Sequence, residues 1–184
     1  MIRKSTFLFL IVFLLLVGLS FALKQGWFEK STIEPTPTTQ PMLLDGFPEA
    51  NLASLQVTEN NLVTLELTRQ ADGTWVITKP EGFQGDSGKI AQLFSSLYGL
   101  TLTSVVSANT PLEPLGISPE SMKITITNIS GEKIVLKPGG LTPTGSGYFI
   151  QVNSNPAVVI SKYGYEGLAS LLLLESLQAA TPTP

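Results

Sequence analysis

The chain has 184 residues with no Cys and no His, which excludes disulfides, thiolate nucleophiles, the common zinc and haem ligand sets, lipid attachment at an N-terminal Cys, and His as a general base. Its net charge is −3, from 14 acidic and 11 basic residues. Two of the cations, Arg3 and Lys4, precede the first apolar run, and the remainder form no cluster that could neutralise a row of phosphates, which argues against nucleic acid as a partner.

Residues 7–23 read FLFLIVFLLLVGLSFAL without a charge. A bilayer core needs roughly 17–25 apolar residues, so this run is long enough to span. The basic flank predicts a cytoplasmic stub at residues 1–6 and an extracytoplasmic chain beyond the anchor, with Trp27 and Phe28 at the far interface. A rival reading is a signal peptide cleaved after Ala22, since Ser20 and Ala22 are small residues at the positions a signal peptidase reads. Residues 24–42 contain KSTIEPTPTTQP, a Thr/Pro-rich linker that holds the next domain off the membrane. The last residues, 176–184, end in AATPTP and read as a disordered tail.

Residues 43–175 are expected to form an extracytoplasmic domain. Leu52, Leu55 and Val57 open a first strand. Val63, Leu65 and Leu67 alternate with Thr64, Glu66 and Thr68, the period-two pattern of a half-buried strand. A turn at Ala71-Asp72-Gly73 leads to a strand at Trp75-Val76-Ile77 that ends before Pro80. Ile90, Leu93, Phe94 and Leu97 then fall on one face of a helix over residues 87–98. In the second half, Ile124 and Ile126 alternate with Thr125 and Thr127, Ser130-Gly131 turns the chain into Ile134-Val135-Leu136, and residues 148–152 and 157–160 form a hairpin. A closing helix is predicted over residues 168–177. Hairpin-spaced strands with segregated helices imply an α+β fold, an antiparallel sheet or sheets with two short helices. Because each half runs strands first and helix last, a degenerate internal repeat is a further expectation.

Two stretches imitate functional motifs. The sequence EGFQGDSGKIAQLF, residues 81–94, nearly contains the GDSGG of chymotrypsin-like proteases and nearly a P-loop. A serine of that protease type needs His as its base, and the chain has none. Lys89 cannot replace it, because residues two apart on a helix do not face each other. For a P-loop the spacing from Gly82 to Gly88 is one residue too long, and Lys89 is followed by Ile90 rather than Ser or Thr. What remains is a loop made by Gly82 and Gly85, and a helix N-cap at Asp86 or Ser87. The Gly-rich residues 139–150, GGLTPTGSGYFI, run into a strand instead of a helix N-terminus. They therefore lack the amides that cradle a phosphate, and read as a wide hairpin loop over residues 139–147 that offers a contact surface.

No constellation for catalysis, cofactor or metal emerges. The acidic residues Glu59, Glu66, Asp72, Glu113, Glu120 and Glu132 are scattered, without the local signature of a carboxylate pair or a calcium loop. Asn128-Ile129-Ser130 fits a glycosylation acceptor but reads better as a tight turn. Trp75, Tyr148, Phe149 and Tyr163 could form an aromatic platform, although Trp75, in mid-strand, fits the core better.

The order of elements resembles the bacterial family designated domain of unknown function 4340. The resemblance rests on Gly73-Thr74-Trp75-Val76-Ile77 with Pro80, the helix at residues 90–97, Leu115-Gly116-Ile117-Ser118-Pro119, the strands at residues 122–127 and 133–136, Pro138-Gly139-Gly140, and Gly145-Ser146-Gly147-Tyr148-Phe149-Ile150. It implies a membrane anchor, an extracytoplasmic α+β region and no known activity. It also implies an accessory place beside an ABC-type transporter or another envelope assembly. The expected function is thus a non-catalytic, membrane-anchored protein that binds or scaffolds a protein partner at the cell envelope, without cofactor or metal. The rival expectation is an envelope-acting or secreted hydrolase with paired carboxylates.

Overall fold

A computed structural model describes residues 41–179. The expected stub and anchor (1–6 and 7–23), nearly all of the linker (24–42) and the last residues of the expected tail lie outside the described residues. Among the described residues, no helix is long and apolar enough to cross a membrane.

The strands are β1 (Leu52–Glu59), β2 (Leu62–Arg69), β3 (Trp75–Lys79), β4 (Leu102–Val105), β5 (Lys123–Asn128), β6 (Lys133–Leu141), β7 (Gly147–Val152) and β8 (Val158–Ser161). The helices are α1 (Ser87–Tyr98), α2 (Lys162–Leu171) and the single turn α3 (Leu174–Leu177). All eight strands join one antiparallel sheet in the order β3-β2-β1-β5-β6-β7-β8-β4. The fold is α+β, and the choice between one sheet and two falls to one.

Local chemistry accounts for the hairpins. Asn60 and Asn61 both take positive φ, 49° and 63°, in the two-residue link between β1 and β2. That is the backbone of a twisted hairpin turn, and Asn tolerates it better than most residues. Between β5 and β6 the Asn128 side chain accepts hydrogen bonds from the amides of Ser130 and Glu132, 3.0 and 2.9 Å, so the Asn-Ile-Ser triplet makes a turn.

Period-two alternation sends Leu55, Val57, Leu65, Leu67, Ile124, Ile126, Leu136, Ile150 and Ile160 to one face, all nearly or wholly buried. The helices cover that face. Ile90, Leu93, Phe94 and Leu97 of α1 enter the core, as do Leu168 and Leu177 from α2 and α3. The Trp75 ring lies 4.3 Å from that of Phe94, centroid to centroid and tilted by 32°, and ties edge strand β3 to α1. Trp75 remains half-buried and packs against the core. The opposite face of the sheet carries Gln56, Glu66, Thr125, Lys137 and Gln151, and among the described residues no α-helix covers it.

The middle of the sheet is symmetric. Across β1 and β5, Leu55 pairs with Ile126 and Val57 with Ile124, with the Gln56–Thr125 pair between them. Across the following hairpins, Leu55 pairs with Leu67 and Ile124 with Leu136, the same spacing in each. A local two-fold through Gln56 and Thr125 therefore exchanges the two hairpins. Beyond them the halves diverge: β3 leads to α1 and then β4, whereas β7 leads directly to β8 and α2.

Several expectations change. Strand β4, which the sequence pattern did not reveal, has exposed side chains at Thr103, Ser104 and Val105, and so lacks alternation. The closing helix begins at Lys162 rather than 168 and breaks before Leu174, making three α-helices instead of two among the described residues. Gly164 and Gly167, poor helix formers, concealed its first turns. The Gly-rich loop is shorter than residues 139–147: β6 continues through Leu141, with a bulge between Pro138 and Leu141 that takes in both glycines. The order also passes both ends of the expected domain at residues 43–175. Met42 bridges to Thr101, Gln178 bridges to Gly85, and Leu177 is fully buried.

Candidate ligand-binding site on the open face of the sheet

Strand order dictates where the site forms. β4 is the outermost strand beside β8, while the next strand in sequence, β5, lies beyond β8, β7 and β6. The chain between them must cross those strands, and the helices already occupy one face. The connection therefore runs over the open face. It starts with the Val106 amide bonded to the Ala157 carbonyl at 2.9 Å.

The connection is held by backbone contact. Glu113–Leu115 forms a 3-10 turn that ends in Gly116, with φ 74° and ψ 15°. The amides of Leu115, Gly116 and Ile117 all bond back to Leu112 or Glu113 carbonyls at 2.9–3.1 Å. The turn rests on the β6 bulge so closely that a side-chain carbon on Gly116 would lie 2.7 Å from the Gly140 nitrogen. One on Gly139 would meet the Leu115 carbonyl and would lie 2.6 Å from Ile117 Cγ1. Ser118 and Ser121 close the next turn, with the Ser118 amide donating to Ser121 Oγ at 3.0 Å.

Two hollows lie between this segment and the sheet. One, of about 450 Å³, is lined by Leu112, Glu113 and Ile117 on the connection and by Lys123, Lys137 and Gln151 on the sheet. The other, of about 340 Å³, lies toward Val106, Thr110 and Asn155. They share Leu112 and Gln151. Each is within the size range of small-molecule sites, roughly 300–1,000 Å³.

The floor is a row of three side chains on adjacent strands. Lys137 of β6 pairs directly with Gln151 of β7. The β5–β6 register, which pairs Ile124 with Leu136, brings Lys123 opposite Lys137. Like charges in facing positions destabilise a sheet. Among the described residues neither lysine is paired with a carboxylate; Lys123 Nζ reaches only Asn61 Oδ1, at 3.5 Å. Gln151 is buried, 7 % exposed. Its Nε2 donates to the Asn155 carbonyl at 3.1 Å, and its Oε1 is buried without a partner among the described residues. A buried acceptor without a donor costs about 1–3 kcal/mol.

The motifs singled out in the sequence lie elsewhere or serve structure. Asp86, not Ser87, caps α1, its Oδ1 accepting from the Lys89 amide at 3.0 Å. Lys89 Nζ donates to the Gln178 carbonyl at 3.0 Å. Of the six acidic residues, Asp72 accepts from Thr74 in its turn, and those bonds hold its carboxyl below the usual carboxylate range. Glu66 lies 4.0 Å from Lys79, and Glu132 accepts from Asn128. Glu113 stands at the rim of the larger hollow. Glu120 is exposed, and Glu59 shares a third hollow with Glu175, both exposed. The aromatic residues do not form one platform: Tyr148 stacks on Tyr165 at 4.4 Å, and Tyr163 is 85 % exposed. Burial, reinforced by Tyr148, raises the Tyr165 phenol above its ordinary value.

Sequence reading missed Lys123, Lys137 and Gln151. Each occupies a polar position in an alternating strand, which is the only signal it carries in one dimension.

A family model described as "Domain of unknown function (DUF4340)" matches residues 75–170, just over half of the chain. The chain belongs to this family. The DUF4340 match runs from β3 into α2 and takes in the whole connection, the β6 bulge and all three floor residues. Gly116 and Gly139, two of the residues on which the resemblance rested, are those that fit the wall of the hollow against the sheet. No curated protein and no solved structure matches the chain.

Proposed function

We propose that the chain is a non-catalytic binding module, anchored in the membrane through residues 7–23 and displayed outside the cytoplasm on its Thr/Pro-rich linker. It binds on the open face of the sheet, beneath the connection from β4 to β5. The observation that carries the reading is Gln151, whose side-chain carbonyl is buried and unpartnered among the described residues and which lines both hollows of ligand size. Buried polar groups are normally satisfied, and an exception needs a reason. A partner that donates to this oxygen supplies one. The anchor rests on the uncharged run behind Arg3 and Lys4. A place beside an ABC-type transporter or another envelope assembly rests on the family resemblance.

The test places a photocrosslinking side chain at Leu112, on the rim, and separately at Gln92, exposed on α1, in the full-length protein in its own membranes. The expected result is a discrete adduct from position 112 and none from 92, with the protein in the membrane fraction and residues 1–22 intact. Equal or absent labelling at the two positions removes the binding reading. A soluble product beginning at Leu23 removes the anchor.

A further inference from the structure

We infer that the row Lys123–Lys137–Gln151 takes the carboxyl end of a peptide whose last side chain is apolar; this rests on the binding reading above and names its ligand. Two ammonium groups on facing positions of β5 and β6, with no carboxylate paired to either among the described residues, repel each other until an anion lies between them. One strand further, about 4.8 Å away, the Gln151 carbonyl asks for a donor. A ligand that answers both carries an anion with an N–H or O–H beside it. A peptide's end does so: the amide nitrogen of its last residue is two bonds from the carboxyl carbon.

Two further features narrow the class. Glu113 stands at the rim of the same hollow, so only one unit of positive charge is left over after the two lysines and the glutamate are counted. That suits a single carboxylate better than a phosphate monoester dianion, whose terminal oxygens also carry no proton to offer Gln151. Leu112 and Ile117 form the wall above the row and present apolar surface to the last side chain. The preceding residues of the peptide continue into the neighbouring hollow past Val106 and Thr110, which joins the first at Leu112 and Gln151.

The experiment titrates full-length protein in detergent micelles with N-acetyl-alanyl-leucine, its C-terminal amide, a uronic acid and inorganic phosphate, by calorimetry. The free acid is expected to bind saturably. Amidation, Lys137→Gln and Gln151→Leu should each weaken it by about tenfold or more, the scale of one lost hydrogen bond to a charged or buried group. Both variants should keep the parent's circular dichroism and melting. Equal binding of acid and amide overturns the carboxylate; tighter binding of the uronic acid or phosphate overturns the peptide. In either case, sensitivity to Gln151→Leu leaves the binding reading standing. No heat from any probe up to about 5 mM, weaker than the affinities of most specific sites, overturns the inference. The crosslinking at Leu112 then decides separately whether the binding reading falls with it.

Discussion

Gly116 lies backbone to backbone against Gly140, with room for no side-chain carbon: one built on Gly116 would stand 2.7 Å from the Gly140 nitrogen. The contact seats the turn after Leu112 on the β6 bulge and so sets the height of the wall over Lys123, Lys137 and Gln151. Gly116 also has positive φ, 74°, which an L side chain takes up at a cost of about 1–2 kcal/mol. By contrast, a carbon on Gly140 would meet nothing nearer than 3.5 Å.

The three glycines should therefore respond differently. Gly116→Ala and Gly139→Ala are expected to lower stability by about 1–3 kcal/mol, through strain and close contact. Gly140→Ala should stay within about 0.5 kcal/mol of the parent, as surface changes without such features do. Denaturant unfolding of the three variants checks the order; equal losses would show that the turn does not rest on the bulge.

Groups kept for binding should be dispensable for folding. Lys137→Glu replaces a like-charged facing pair with an opposite one and is expected to stabilise the protein by about 0.2–1 kcal/mol at low salt. The gain should shrink as salt is raised toward 1 M, where the screening length is about 3 Å. Gln151→Leu removes a buried acceptor without a donor and should leave stability at or above the parent's, despite the lost bond to Asn155. A marked loss in either variant would make the row a structural element.

Asp86 and Ser87 separate a helix cap from a catalytic serine. Asp86→Ala should cost about 0.5–2 kcal/mol, because the Lys89 amide loses its acceptor. Ser87→Ala, at an exposed position without a cap bond, should change stability by less than about 0.5 kcal/mol. Thermal melts of the two single variants decide; a reversed order would move the cap to Ser87.

Tyr98 supplies a pH dependence with a defined sign. Burial, with the Glu49 carboxylate adding to it, pushes its phenol up to about 12 from an ordinary value of 10.0. Its hydroxyl donates to the Phe47 carbonyl at 2.8 Å. The folded state thus holds this proton more tightly than the unfolded chain does. The contribution is fully present below pH 10 and is lost as pH rises toward 12. Unfolding midpoints between pH 9 and pH 12 should fall less steeply for Tyr98→Phe than for the parent, and parallel curves would place the phenol in water.

By itself the sequence determined whatever depends on neighbours along the chain. Alternation marked Val63, Leu65 and Leu67 and again Ile124 and Ile126. The spacing of Ile90, Leu93, Phe94 and Leu97 marked α1 with both of its ends, and the missing His and the Gly82–Gly88 spacing disposed of two motifs. These signals are local because a strand's period, a helix's period and a cap are set within a few residues. The tertiary structure decided the rest: a single sheet, β4 at its far edge, and the crossing of the open face that follows. Lys123, Lys137 and Gln151 come from three strands, and only register sets them side by side. Register is settled by which faces bury together and by how closely backbones can approach, as at Gly116 and Gly140, and a one-dimensional pattern carries neither.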